Sequence, residues 1–192
     1  MSRLQVLISQ PRLALGALLT LALASAAIVG SGADFTASSA NPTNSFSSGT
    51  LSISNTKSNA AVFSASNLRP AGAAQTGTVD IGNSGSLSGV FKLSRGTISD
   101  SGSTSNLSPK LNMVITDCGT FASGTPSCGD GDDTNVYTGA LPGIGTSASP
   151  IALGTFAATE KHRYEFSVAL DSSADDNYQG GTSTVDFNWT AG

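Results

Sequence analysis

The stretch NLRPAGAAQTGTVDIGNSGSLSGVFKL, residues 67–93, decides how this chain folds. Arg69-Pro70-Ala71-Gly72 reads as a loop, because proline fixes φ and glycine permits positive φ. Thr76, Thr78, Asp80 and Gly82 then alternate with Gly77, Val79, Ile81 and Asn83, which puts Val79 and Ile81 on one face of a strand. Asn83-Ser84-Gly85-Ser86 reads as a tight turn. Beyond it Leu87, Gly89, Phe91 and Leu93 share a face, opposed by Val90 and Lys92. The expected unit is a β-hairpin with one apolar side, and such a hairpin needs further strands to cover it.

The same period of two recurs outward in both directions. Leu51 and Ile53 point inward in Gly49-Thr50-Leu51-Ser52-Ile53, and Val62 and Phe63 mark a short strand over 61–66. Downstream, Leu111, Met113 and Ile115 alternate with polar or opposing residues. Val136-Tyr137 and Ala140-Leu141 form a weaker strand, and Ile151, Leu153 and Phe156 resume extended structure. Tyr164, Phe166, Val168 and Leu170 share one face of a late strand, as do Val185, Phe187 and Trp189 of another over 184–189. Residues 94–108, 143–150 and 171–181 read as polar loops. Eight to ten strands with no helix among them predict an all-β antiparallel sandwich.

The first residues differ. Arg3 and Arg12 lead into an apolar run over 13–29, followed by Ser31-Gly32-Ala33. That order of positive, apolar and small residues is a secretory signal peptide, with cleavage expected after Ala33 or, as a second choice, after Ala26. A retained anchor is the rival reading, and the run is at the short end for spanning a bilayer. The expected organisation is a signal peptide over 1–33, an extended segment and proline-containing linker over 34–45, and a β-sandwich domain over 46–192. Cleavage leaves seven basic against thirteen acidic residues, a formal charge of −6. The scattered basic residues exclude the footprint of a nucleic-acid binder.

Cys118 and Cys128 stand ten apart in DCGTFASGTPSCGDGDD. In an exported chain they are expected to pair as a disulfide. Asp130, Asp132 and Asp133 on the following glycine turn are weak calcium candidates, set against a solvated acidic turn. Asp171, Asp175 and Asp176 are weaker still. His162 is the single histidine, and it reads as an exposed strand residue. With no HExxH and no GxSxG, no catalytic constellation is written here and no cofactor is implied. Phe187 and Trp189 could line a ligand cleft, but an alternating strand more often gives them to the core.

Three features together resemble the TasA/CalY (camelysin) family of secreted biofilm-matrix fibre proteins. The first runs from Gly30-Ser31-Gly32-Ala33 through Asp34-Phe35-Thr36-Ala37 to Asn44-Ser45-Phe46-Ser47-Ser48-Gly49-Thr50-Leu51-Ser52-Ile53. It is similar to that family's cleavage region, short aromatic segment and N-x-F-x-x-G-T-L-x-L strand. The second is Asn67-Leu68-Arg69-Pro70-Ala71-Gly72, like the family's N-L-x-P-G loop, except that Ala71 intervenes before Gly72. The third is the Val79 to Leu87 turn, with Tyr178-Gln179-Gly180 before the last strand also in keeping. The resemblance covers residues 28–93 well and the final twenty-odd loosely, and it leaves the cysteine loop unmatched.

The resemblance implies a jelly-roll-like sandwich that polymerises. The N-terminal segment of one subunit would complete a sheet of the next, with Asp34, Phe35, Thr36 and Ala37 as the donor strand. The partners implied are copies of the chain itself, signal peptidase during export, and an accessory matrix or nucleating protein, in the extracellular matrix or at the cell surface. The metallopeptidase label carried by some relatives lacks its histidines here. The competing expectation is a monomeric surface-adhesion or carbohydrate-binding module; a secreted peptidase is a third.

Overall fold

The computed structural model describes residues 12, 15–20, 45, 47–124, 126–131 and 133–192. The chain divides into two compact units, Met1–Phe46 and Ser47–Gly192. In the first, residues 12 and 15–20 are helical and exposed, and the Thr20 hydroxyl donates to the Gly16 and Ala17 carbonyls. Among the described residues no helix is long and apolar enough to cross a membrane. The expected cleavage site at Ala33, the donor residues Asp34, Phe35, Thr36 and Ala37, and the Pro42 linker lie outside the described residues.

The second unit is all-β and antiparallel. Its strands are β1 (Ile53–Asn55), β2 (Gln75–Asn83), β3 (Gly89–Arg95), β4 (Ser99–Ser101), β5 (Leu111–Thr120), β6 (Thr134–Ala140), β7 (Ile151–Phe156), β8 (Lys161–Leu170), β9 (Thr182–Thr184) and β10 (Phe187–Ala191). A five-stranded sheet has the order β1-β2-β8-β5-β6, and a three-stranded sheet the order β10-β3-β7. The short β4-β9 pair prolongs the β3-β10 ladder, bridged by the Gly96 amide donating to the Asp186 carbonyl at 2.8 Å.

The alternation read from the sequence is what builds the core. Val79 and Ile81, Leu111, Met113 and Ile115, and Tyr164, Phe166 and Val168 are buried from the larger sheet. Phe91, Leu93 and Phe156 are buried from the smaller one. Aromatic rings join the layers: Tyr164 lies 5.1 Å from Trp189, and Phe166 lies 4.7 Å from Phe187. Burying side chains of this size contributes about 1.5–3 kcal/mol each. On the outer face, Arg163 grips Asp80 on the neighbouring strand with two hydrogen bonds, of 2.7 and 3.0 Å.

The expected hairpin over 76–93 is not there. β2 pairs with β1 and β8, whereas β3 pairs with β10 and β7, so the chain leaves one sheet at Asn83 and enters the other at Gly89. Alternation fixes which face of each strand is apolar; it does not say whether two such faces share a sheet or oppose each other across a core. Here Val79 and Ile81 oppose Phe91 and Leu93. The corner is held by Asn83, whose side chain is 1% exposed. Its Nδ2 donates to the carbonyls of Leu87 (2.7 Å), Ala157 (3.1 Å) and Phe156 (3.4 Å), and its Oδ1 accepts from the Gly85 amide (2.9 Å). Residues 50–52 lace across the arch, with the Ser52 carbonyl accepting from Ser84 and the Thr50 carbonyl from Ser86 and Leu87. A Cβ on Gly85 would stand 2.3 Å from the Thr50 carbonyl oxygen, which is why a glycine occupies that position.

Other expectations shift in detail. The strand expected over 49–53 is regular only at Ile53–Asn55, and residues 61–66 form no strand. The loop over 94–108 contains β4, and the last strand is broken into β9 and β10 at residues 185–186. In the 69–72 turn it is Ala71, not Gly72, that takes positive φ, at 55°. The Gly72 amide closes the turn on the Arg69 carbonyl at 2.9 Å.

Two substitutions test these features in chemical denaturation. Asn83→Ala is expected to cost about 3 kcal/mol by leaving buried carbonyls unpaired, and the near-isosteric Asn83→Asp at least as much, because it turns an oxygen toward them. Ala71→Gly is expected to stabilise by roughly 0.5–1 kcal/mol, the left-handed penalty of a Cβ less the freedom glycine adds to the unfolded chain.

Candidate functional site

Three strands cover five incompletely. The exposed part of the core lies at the end of the larger sheet where β2 begins and β8 ends. There Gln75 pairs with Val168, and Leu111 pairs with Leu170. A groove of about 970 Å³ opens at this end. Leu111, Met113, Val168 and Leu170 line it from the larger sheet. It is flanked by residues 61–70 and by 182–185 with Phe187.

Both flanks have a local cause. Gly77 lets the irregular stretch lie flat on the sheet: a Cβ there would stand 2.4 Å from the Phe63 Cβ. The Phe63 ring then sits 6.4 Å from Phe166, on the same aromatic that Phe187 contacts. Gln75 pins the stretch with its amide, which accepts from the Ser66 amide at 3.1 Å and donates to the Ser66 carbonyl. On the other flank, β9 pairs only with β4 and β10 only with β3 among the described residues. Among the described residues their second edge carries no ladder. The Ser183 hydroxyl oxygen, on this flank, is buried without a hydrogen-bond partner. The site is therefore a slot with an apolar floor and a polar rim that includes Arg69, Asp175 and Asp176, beside a sheet edge and bordered by a strand-like stretch that makes no ladder of its own.

Of the residues singled out from sequence, Asp175, Asp176 and Phe187 line the groove, and the others fall elsewhere. Cys118 and Cys128 form a disulfide with a Cα–Cα distance of 4.8 Å, and Cys118 is fully buried on β5. In the acidic turn the Gly129 amide donates to Asp133 Oδ2, while Asp133 Oδ1 is buried without a partner. Asp130 is exposed, and Asp132 lies outside the described residues. Among the described residues no three His, Cys, Asp or Glu side chains gather to hold a metal ion. Asp171 accepts from the Ser173 hydroxyl and amide and from Asn112, which hold its carboxyl at about 2. Asp175 accepts from the Asn177 amide. Phe187 both packs on the core and borders the groove, whereas Trp189 packs on Tyr164 and does not line it.

His162 is not the exposed strand histidine expected. Its side chain is 14% exposed, and its ring stacks on Phe156 at 4.1 Å. Nδ1 lies 2.8 Å from Asp117 Oδ2, and Nε2 lies 3.1 Å from Glu160 Oε1. Burial alone would lower the imidazole pKa, but hydrogen bonds and charge from Asp117, then Glu160, outweigh it, and the pKa is raised. Next to it, burial pushes the Tyr164 phenol far above its ordinary value, with Asp117 adding to the shift.

Sequence reasoning did not single out Ser183, and it read Val62 and Phe63 as a short strand rather than as the flank of a groove. Asn83 was legible as a turn residue but not as a corner between sheets, since that depends on the carbonyls of Phe156 and Ala157, more than seventy residues away. Replacing both cysteines by serine is expected to lower stability by roughly 3 kcal/mol without changing the strand pattern. Denaturation followed by circular dichroism measures both. No protein-family model matches the chain, and no curated protein matches it.

Proposed function

We propose that this chain is a secreted structural protein that polymerises into extracellular or biofilm-matrix fibres. In this reading Asp34, Phe35, Thr36 and Ala37 of one subunit enter the groove of the next and complete a sheet there, within a jelly-roll-like sandwich, while the rest of 34–45 serves as linker. The observation that carries it is the slot between residues 61–66 and the open edge of β9 and β10. An extended segment laid there gains main-chain hydrogen bonds along the edge, and alternate side chains meet the apolar lining. Phe35 and Ala37 supply those side chains, and the unpaired Ser183 hydroxyl gains a polar neighbour.

Polarity supports the same reading. Ile53 pairs with Asn83, and the Thr50 and Ser52 carbonyls accept from the arch, so the start of the domain is bound at that end of β2. The groove opens at the Gln75 end of the same strand. Nine residues of strand separate the two ends by about 30 Å. A contact that joins one end to the opposite end of a neighbour, without closing on itself, generates a filament. The partners in this reading are further copies of the chain, signal peptidase during export, and an accessory nucleating protein. The role is non-enzymatic, a reading supported by the engagement of both nitrogens of the single histidine with carboxylates.

Electron microscopy of the chain beginning at Asp34 is expected to show regular filaments after concentration. Removal of residues 34–40, or Phe35→Asp, is expected to abolish them. Unchanged filaments from the truncated chain would overturn the strand-donation reading, and a stable monomer from the mature chain would move weight to an adhesion module.

A further inference from the structure

A charged cluster lies at the opposite end of the core from the groove. His162 occupies the inner face of β8 where that strand begins. Asp117 reaches it from β5 and Glu160 from the turn between β7 and β8. The Phe156 ring from β7 stacks on it, and the Tyr164 ring from β8 lies 6.2 Å away. Lys161 and Arg163 alternate onto the other face, where Arg163 is committed to Asp80.

The proton count follows from the geometry. A neutral imidazole has one N–H and can donate to one carboxylate only; its second nitrogen then turns a lone pair toward the other. With both carboxyls ionised, the two contacts, at 2.8 and 3.1 Å, are satisfied together only by the doubly protonated ring.

Each carboxylate also holds backbone. Asp117 Oδ1 accepts from the Gly119 amide at 3.0 Å, in the approach to the disulfide loop. Glu160 Oε2 accepts from the Ala157 amide, and the Glu160 amide donates to the Ala157 carbonyl at 3.2 Å. That turn carries the arch. The Asn83 amide donates to the Glu160 carbonyl at 2.8 Å, and the Asn83 side chain holds the Ala157 carbonyl. The arch in turn binds residues 50–52, close in sequence to Ser47, where the β unit begins.

We infer that His162 is a proton-operated latch: charged, it clamps Asp117 and Glu160 and fixes the arch at the root of the N-terminal segment, and neutral, it releases one carboxylate and loosens that root. The consequence for assembly rests on the fibre reading; the latch itself does not. The sign is set by the raised imidazole pKa. The stabilisation is complete below the unfolded value of about 6.5 and is lost as pH rises through the folded-state value.

Amide hydrogen exchange at Asn83, Ser84, Ser86 and Leu87, taken relative to unfolded-chain rates, tests this in the intact chain. Opening of these amides is expected to rise by up to about tenfold per pH unit above pH 6.5, levelling off at the folded-state pKa, because one proton is bound in the closed state and released in the open one. A carbon-bound ring-proton titration of His162 is expected to give a midpoint above about 6.5. His162→Gln is expected to abolish the slope. Glu160→Gln keeps an acceptor beside the ring, and is expected to lower the midpoint and shrink the slope while the arch stays closed. Flat protection of the arch in the wild-type chain, or a midpoint at or below about 6.5, would overturn the latch. Filaments with flat protection would remove the latch alone; a protection slope without filaments would remove the fibre reading alone.

Discussion

The corner at Asn83 is the constraint on which the rest depends. One buried carboxamide replaces the ladder that β2 gives up when the chain changes sheets, and its four hydrogen bonds reach the arch and the β7–β8 turn at once. A buried polar group is costly unless satisfied, so this geometry is enforced rather than merely permitted. Crossing there makes β2 a member of the five-stranded layer and β3 the middle of the three-stranded one. The layers then face each other with Val79 and Ile81 against Phe91 and Leu93. The imbalance between five strands and three leaves part of the core open at the other end.

Much of this was legible in the sequence because it depends on alternation alone. The β5 and β8 faces are buried where Leu111, Met113, Ile115, Tyr164, Phe166 and Val168 place them. The disulfide follows from two cysteines in one short loop. Pairing was not legible, because the same apolar face serves a hairpin and an arch equally. His162 was misread for a related reason: its carboxylates come from Asp117, forty-five residues away on β5, and from the adjacent turn. The groove is a property of what does not pair, and no residue pattern announces an absent partner.

The Ala71 turn is one place where the chain departs from the simplest solution. Position 71 needs the left-handed region, and the sequence supplies glycine one residue later. Gly72 is needed for a different reason: a Cβ there would stand 2.7 Å from the Arg69 Cγ and 2.9 Å from its carbonyl oxygen. Steric room and backbone conformation thus fall on adjacent residues, and only the first is met by a glycine.

The sheet edges separate an unfinished surface from an ordinary one. Four strands end the two main sheets, and three of them are blunted. β1 has three residues. β6 carries a bulge opposite Ile115 and Thr116, and β7 one opposite Phe91 and Lys92. Bulges and short strands are how sheets discourage unwanted pairing. β10 differs: it keeps an unbroken register with β3 from Phe187 to Ala191, and no lysine or proline guards it or β9. An unguarded edge beside an apolar groove invites pairing, and a chain that blunts its other edges while leaving this one regular is built as though this edge has an occupant. In the fibre reading proposed above, the N-terminal segment of a neighbouring copy is that occupant.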